Sequence, residues 1–251
     1  MNGKCSLAMT MISESLLKVL TGVGIASRRR LADAIRQGRV EVNGEVVEDF
    51  RYPVNRETDR ISVDGRAVYL EPIHPVCLML NKPKNIISTA SDERGRRTVL
   101  DILPKKYRHL RLYPAGRLDK DSTGLLLLTN DGELTYRLTH PRFEHRKEYL
   151  IHVDGRLKPG DKRRLEQGIE LEDGITHPAV VREVKSSPPF NYSIEIHEGR
   201  KRQVHRMFAA LGYRVPALKR VRIGNISLGE LKEGDVRELN AGEISALLSD
   251  K

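Results

Sequence analysis

Cysteine is scarce: Cys5 and Cys77 are the two in 251 residues. Two thiols build neither a disulfide framework nor a cysteine-only zinc site, so the expected setting is reducing and cytoplasmic. Long apolar runs are missing as well. None approaches the roughly 18 to 20 residues that a membrane helix needs, and the opening MNGKCSLAMTMISES lacks the sustained apolar stretch and small-residue cleavage site of a secretory signal. The expectation is a soluble chain with no membrane partner. Acidic residues are in deficit, with 34 Asp and Glu against 44 Lys and Arg, a net charge of +10 and a pI near 9.7. Such an excess points to a polyanionic partner. A 39% hydrophobic content and a mean hydropathy of -0.46 suffice for one good core, or one core and a small second domain, and exclude a disordered or collagen-like chain.

The charge is unevenly placed. Residues 1–75 are nearly neutral at net +1, leaving +9 for residues 76–251. From Arg200 to Arg222 there are eight Lys or Arg and no acidic residue, and from Lys82 to Arg111 nine basic residues meet three acidic ones. A single charge run is as well explained by a solvated face. Two in one region, one of them without acidic neighbours, tilt toward phosphate binding.

Near the N-terminus, Ser13 is positioned to cap a helix carrying Leu16, Leu17 and Leu20, and Ser27 to cap a second one that carries Leu31, Ala34 and Ile35 and ends at Gly38. Five arginines and one Asp lie between residues 27 and 39. Val40 and Val42 then alternate into Asn43-Gly44, a type I′ hairpin signal, before Val46 and Val47. Residues 16–47, LLKVLTGVGIASRRRLADAIRQGRVEVNGEVV, resemble the small RNA-binding module named after ribosomal protein S-four. The resemblance implies that Arg28, Arg29, Arg30, Arg36 and Arg39 contact RNA phosphates, with Asn43 near the RNA-facing turn. A closing strand at Ile61–Gly65 and the prolines Pro53, Pro72 and Pro75 place the domain at 14–74, after a flexible tail at 1–13 and before a second domain at 75–251.

The second domain lacks the regular strand-helix alternation of a doubly wound fold. Strands are expected at Cys77–Leu80, Ile86–Thr89 and Gly124–Thr129, and around Tyr149, Ile151 and Val153 and around Tyr192, Ile194 and Ile196. Helices are expected at Glu133–Thr139, Pro159–Gln167, Lys201–Leu211 and Ala241–Leu248, the last capped by Asn240. This is an α+β chain: a small helical-hairpin and β domain, then a domain on a mostly antiparallel mixed sheet.

The most informative stretch is AGRLDKDSTGLLLLTNDG at residues 115–132. Asp119 follows a strand-like segment and stands in a tight loop before four leucines, where a rigid sheet can aim a carboxylate. Asp121 and Asp131 are explained as turn or cap residues. On spacing alone Asp119 is one candidate among several. The same run, with LNKP at 80–83, DERGRRTVLDILP at 92–104, THPRFEHRKEY at 139–149 and EGRKRQVHRMFAALGY at 198–213, is similar to the pseudouridine synthases that modify ribosomal RNA, in the branch with an S-four-like domain in front. The resemblance spans about residues 14–250, and THPRFEHRKEY is closer to the large-subunit branch than to the small-subunit one.

The resemblance implies isomerisation of uridine to pseudouridine in ribosomal RNA or a pre-ribosomal particle. That reaction exchanges no electrons and donates no group, so neither cofactor nor metal is implied. Asp119 takes the catalytic role; attack on the sugar carbon, attack on the base and proton abstraction all stay open. Tyr149 matches the tyrosine that stacks on the uracil, Leu218 the apolar residue on its other side, and Arg117 the arginine that holds the RNA once the base has left the stack. The family's cation beside the aspartate falls at His205, so either the imidazole takes that role or Arg206 or Arg200 reaches the site. Lys82, Arg200 and Arg202 are expected along the RNA path. No obligatory protein partner is implied and a monomer is the default. Two other classes fit part of the pattern: a non-catalytic ribosome assembly factor, and a Mg²⁺-dependent phosphatase of the haloacid dehalogenase type reading Asp119 and Asp121 as D-x-D-x-T.

Overall fold

The computed structural model describes residues 13–71, 74–185 and 187–249. The chain divides into two compact units, 1–74 and 75–251. Apart from Ser13, the tail expected at 1–13 lies outside the described residues, as does Cys5.

In the first unit, strand β1 (Glu14–Ser15) leads into helix α1 (Leu16–Gly22), which buries Leu16, Leu17, Val19 and Leu20. Ser15, not Ser13, holds the N-cap position, and its side chain makes no capping bond. Helix α2 (Arg28–Arg36) begins as expected, with the Ser27 hydroxyl accepting from the Arg30 amide at 3.3 Å. Its inward face is Leu31, Ala34 and Ile35, and the chain leaves it through Gly38 at φ 64°. Strand β2 (Val40–Val42) turns into β3 (Glu45–Val46) at Asn43 and Gly44, whose φ angles of 54° and 88° are those of a type I′ turn. Strands β5 (Ile61–Val63) and β6 (Arg66–Val68) complete an antiparallel sheet in the order β3-β2-β5-β6, while β4 (Pro53–Val54) pairs with β1. Both helices and the sheet share one apolar cluster, in which a buried Leu or Ile contributes about 1.5–3 kcal/mol.

The second unit is built on a nine-stranded sheet. Its main order is β13 (Val180–Glu183), β14 (Tyr192–Ile196), β10 (Lys147–His152), β15 (Ala217–Ile223), β9 (Thr123–Thr129), β7 (Cys77–Lys82) and β17 (Val236–Glu238). Strand β8 (Tyr113–Ala115) adds to β9 and β16 (Ile226–Ser227) to β15, and β11 (Glu170–Leu171) pairs separately with β12 (Gly174–Ile175). Every pairing in the large sheet is antiparallel except β9 with β15, where Thr123 and Gly124 lie beside Lys219 and Arg220. Gly124 is required there: a Cβ on it would stand 2.2 Å from the Arg220 carbonyl oxygen, and its φ is 102°. The four leucines of β9 alternate between two cores, Leu126 and Leu128 on one face and Leu125 and Leu127 on the other. Covered on both sides, the strand reads as a continuous apolar run.

Helix α3 (Gly132–Thr139) starts where the Asp131 carboxylate accepts from the Glu133 and Leu134 amides. Helix α4 (Pro159–Gln167) begins on its proline. Helix α5 (Gln203–Ala209) is shorter than the expected 201–211. Helix α6 (Ala241–Ser249) opens with a reciprocal box, the Glu243 amide donating to Asn240 Oδ1 and the Asn240 amide to Glu243 Oε2. The strand expected at Ile86–Thr89 is reduced to a single bridge between Ile87 and Thr98. Asn85 sits at φ 68°, and the Thr89 amide bonds back to Ile87, so no ladder can extend.

Candidate active site

The parallel junction of β9 and β15 joins two antiparallel half-sheets, and the loop carrying Asp119 enters β9 at that seam. A cavity of about 890 Å³ opens over it. Asp119, Arg117, Tyr149, Leu218, Arg220, Lys147, Arg202 and His205 all line it. Its walls come from the loop before β9, from β10 and β15, from α5, and from the segments 138–145 and 196–202.

The loop is locked from both sides. Ser122 N–H donates to the Asp119 carbonyl at 3.1 Å, closing a turn over 119–122. One residue earlier, buried Ser88 donates its hydroxyl to the Leu118 carbonyl at 2.9 Å and accepts from the Leu118 amide at 3.1 Å. A single side chain therefore satisfies both backbone groups of the residue before Asp119. Asp121, two residues after it, receives both guanidinium nitrogens of Arg202 at 2.9 Å each. This bidentate pair ties the start of α5 to the loop. Ser88 was not singled out from sequence, and Asp121 was assigned only a turn role. Nothing in the local pattern signals either, because their partners are 30 and 81 residues away.

The charges around Asp119 differ from the expected set. Lys82 was expected on the RNA path, yet it is 0% exposed and its ammonium donates to the Pro83 carbonyl at 2.8 Å. No phosphate can reach it. Burial pulls its pKa down to about 8, against the attraction of Asp121, Glu233 and Asp119. His205 does stand at the cavity, but burial, and then Arg202, push its pKa below the ordinary imidazole range, with Asp121 and Asp119 opposing. Its Nδ1 is buried without a partner. That shift works against the imidazole as the cation expected there. Arg206 turns away to hold Asp173 at 2.9 and 3.0 Å. Arg200 lines the cavity but is engaged with Glu198 at 2.9 Å and with the carbonyls of Gly174 and Ile175. Arg202 and Lys82 are the permanent or buried cations whose ionisation Asp119 favours.

Arg220, absent from the expected site, is 3% exposed. Its Nε donates to the Leu125 carbonyl at 2.7 Å, Nη1 reaches the Arg117 carbonyl at 3.5 Å and Nη2 has no partner. Its guanidinium lies 6.0 Å from the centre of the Tyr149 ring. Neighbouring Lys147 donates to the His145 carbonyl, and burial, then Arg220, bring its pKa down to about 8. Tyr149 and Leu218 come from adjacent strands, with Ile151 opposite Leu218 and Tyr149 opposite Arg220. An aromatic face and an aliphatic side chain are thus brought to one wall of the cavity.

On the first unit, Arg28, Arg29 and Arg30 are exposed on the outer face of α2. Arg36 is exposed 3.6 Å from Asp33 and lies over the Phe50 ring at 6.0 Å. Arg39 differs from the expectation of a free phosphate contact, because both oxygens of Asp64 accept from it at 2.9 Å. Asn43, in the turn that was expected to face RNA, donates to Asp59 in a separate loop at 3.0 Å.

The phosphatase pattern does not survive this geometry. It needs its first Asp at the end of an apolar strand in a parallel sheet; here Asp119 precedes the apolar strand, and Asp121 is committed to Arg202.

Comparison with known proteins identifies the family. The sequence profile described as RNA pseudouridylate synthase matches residues 76–210, and the S4 domain profile matches residues 14–66. The chain is 44% identical over 237 residues to the ribosomal large subunit pseudouridine synthase B of Bacillus subtilis, covering 93% of this chain and 95% of that protein. It is 42% identical over 240 residues to an uncharacterized RNA pseudouridine synthase of Aquifex aeolicus, covering 94% of each. A crystal structure of a pseudouridylate synthase superposes with a TM-score of 0.66 at 34% identity, covering 94% of this chain and all of the other. With one family matching more than half of its length and relatives matching nearly all of it, the chain belongs to the RNA pseudouridylate synthase family.

Proposed function

We propose that this enzyme converts a uridine of large-subunit ribosomal RNA to pseudouridine, with Asp119 as its catalytic carboxylate. The observation that carries the assignment is the convergence of Asp119, Tyr149 and Leu218 on one cavity from three separate segments of the second unit. In the reaction the N1 to C1′ bond breaks, the uracil turns and C5 bonds to C1′. The proton on C5 is lost while N1 gains one, so composition and oxidation state are unchanged. A uridine in folded RNA reaches such a cavity only after leaving its stack, at a cost of a few kcal/mol. Tyr149 offers the base a replacement face, about 1–3 kcal/mol by stacking, Leu218 lines the cavity beside it, and Arg117, exposed at the edge, meets the RNA.

The cationic surroundings serve the same chemistry. Uracil departing from C1′ carries negative charge, which the buried Arg220 and half-buried Lys147 at the cavity can stabilise. The exposed arginines of α2 give the first unit an independent grip on RNA backbone. A ribosomal RNA target carries a cytoplasmic location with it. Among the described residues, no helix is long and apolar enough to cross a membrane.

Expression in a bacterial strain lacking the corresponding modification, followed by mapping of pseudouridine in its ribosomal RNA, tests the reading. The wild-type chain is expected to restore one pseudouridine in the large-subunit RNA and Asp119→Asn none. Restoration by both would remove Asp119 from catalysis, and restoration in the small-subunit RNA would overturn the target.

A further inference from the structure

Aromatic residues are rare in this chain, with 4 Phe, 8 Tyr and no Trp in 251 residues. Tyr107, Tyr149, Tyr192 and Phe208 are buried. Between residues 136 and 145, however, Tyr136, His140, Phe143 and His145 gather on the end of α3 and the short 3₁₀ turn Pro141–Phe143. Ring centres are 4.9 Å apart for Tyr136 and His140, 5.8 Å for Tyr136 and Phe143, and 6.4 Å for Phe143 and His145. Tyr136 is 39% exposed and His140 is exposed, so this is an outer surface and not a core.

Arg142 sits on this cluster. Its guanidinium carbon lies 4.9 Å from the Tyr136 ring centre and 4.5 Å from that of Phe143. The neighbouring arginines are neutralised: Arg137 by Glu133, Arg146 by Glu195, and Arg222 by Glu148 and Glu195. Among the described residues no ion pair neutralises Arg142, which is held by ring faces instead. The turn is fixed, since His140 Nδ1 accepts from the Arg142 amide at 3.2 Å. His140, Pro141, Glu144 and His145 also line the large cavity, so the platform stands at its rim.

A surface set of mutually tilted rings, Tyr136 and Phe143 edge to face at 89°, topped by an unneutralised guanidinium plane has the chemistry of a nucleobase platform: bases stack on aromatic rings and on Arg planes alike. A pure phosphate site would cluster cations, and exposed Glu133 and Glu144 on either side disfavour one here. We propose that the Tyr136, Phe143 and Arg142 surface binds a second, unpaired base of the substrate RNA, next to the uridine that enters the cavity. Turning that uridine out of the stack strips a stacking partner from its neighbour, and the platform replaces it. The inference rests on an RNA strand crossing the cavity mouth, and it goes beyond the assignment of the target.

The test uses the full chain and a short RNA hairpin around the uridine mapped on a large-subunit transcript, with 2-aminopurine placed in turn at each position within three nucleotides of that uridine. Binding of the wild-type chain is expected to quench one of these probes. Tyr136→Leu combined with Phe143→Leu, which keeps apolar bulk but removes the rings, is expected to abolish that quench and raise KM about tenfold or more, with kcat within twofold. Tyr136→Phe alone is expected to behave as wild type. An unchanged KM and quench in the double leucine variant would overturn the proposal. So would a raised KM on ribosomal particles with an unchanged one on the naked hairpin, which would assign the surface to a ribosomal protein. A hairpin that quenches on the wild-type chain but is not isomerised would sink the target assignment while supporting the platform.

Discussion

Replacing Ser88 by Ala removes the one side chain that satisfies both the amide and the carbonyl of Leu118. Both groups are buried, and a buried backbone group left without a partner costs about 1–3 kcal/mol. Two such groups give a loss of about 2–6 kcal/mol, large for a single substitution and comparable to the removal of a core leucine. The catalytic consequence is separate. Leu118 is covalently attached to Asp119, and a misplacement of about 1 Å at a reacting group can cost on the order of a hundredfold in rate. Ser88→Ala is therefore expected to lower the midpoint of urea denaturation and to reduce kcat at least tenfold, with KM for RNA changed less than threefold because Ser88 touches no expected RNA contact. Ser88→Thr, which keeps the hydroxyl, should recover most of the kcat. The measurement is a denaturation curve and single-turnover kinetics on the same preparations. If Ser88→Ala unfolds within about 0.5 kcal/mol of wild type and keeps its kcat within twofold, the clamp does not position Asp119.

The Arg202 to Asp121 pair is nearly half exposed, so breaking it should cost no more than about 1 kcal/mol of stability. Arg202→Gln and Asp121→Asn should nevertheless lower kcat by similar factors, and the double variant should be no worse than either; additive losses in a double-mutant cycle would contradict a shared role. Lys82 and Lys147 have pKa values depressed to about 8, below those of the unfolded chain, so between pH 8 and 9 the folded state has released protons that the unfolded state retains. Stability should rise with pH over that window, and Lys82→Met should reduce the slope; a flat or falling denaturation midpoint contradicts it. Above about pH 9 the buried Cys77 thiol, raised to about 12, works in the opposite direction. Replacing Arg28, Arg29 and Arg30 together by Ala should weaken RNA binding and make its log-log salt dependence shallower by about 2 to 3, and an unchanged slope would remove α2 from the interface.

Elements whose sequence pattern completes itself locally were legible. Ser27 and Asn240 cap the helices they precede, Asn43-Gly44 makes its turn, and α4 runs from Pro159 to Gln167. Ile86–Thr89 misled because its apolar residues suggest a strand, whereas Ser88 is committed to a contact 30 residues away. Ser13 misled for a simpler reason: Glu14 and Ser15 pair with Pro53 and Val54, so the helix cannot begin until Leu16.

The sequence by itself determined the order of the two domains, the type of most elements and the placement of an acidic loop before the strand of four leucines, because each is written within a few residues. Only the tertiary structure decided what the basic run from Arg200 to Arg222 does. That run contains no acidic residue, yet Arg200, Arg202, Arg206 and Arg222 meet carboxylates at Glu198, Asp121, Asp173, Glu148 and Glu195. Arg220 is buried against carbonyl oxygens, which leaves Lys201, Arg214 and Lys219 of the eight without a carboxylate pair among the described residues. The same holds at the site: burial converts Lys82 from a surface charge to an internal one, and desolvation disfavours the charged form of His205. Charge counted along a chain ignores which groups the fold removes from water and which it places face to face, and those two facts set what each charge does.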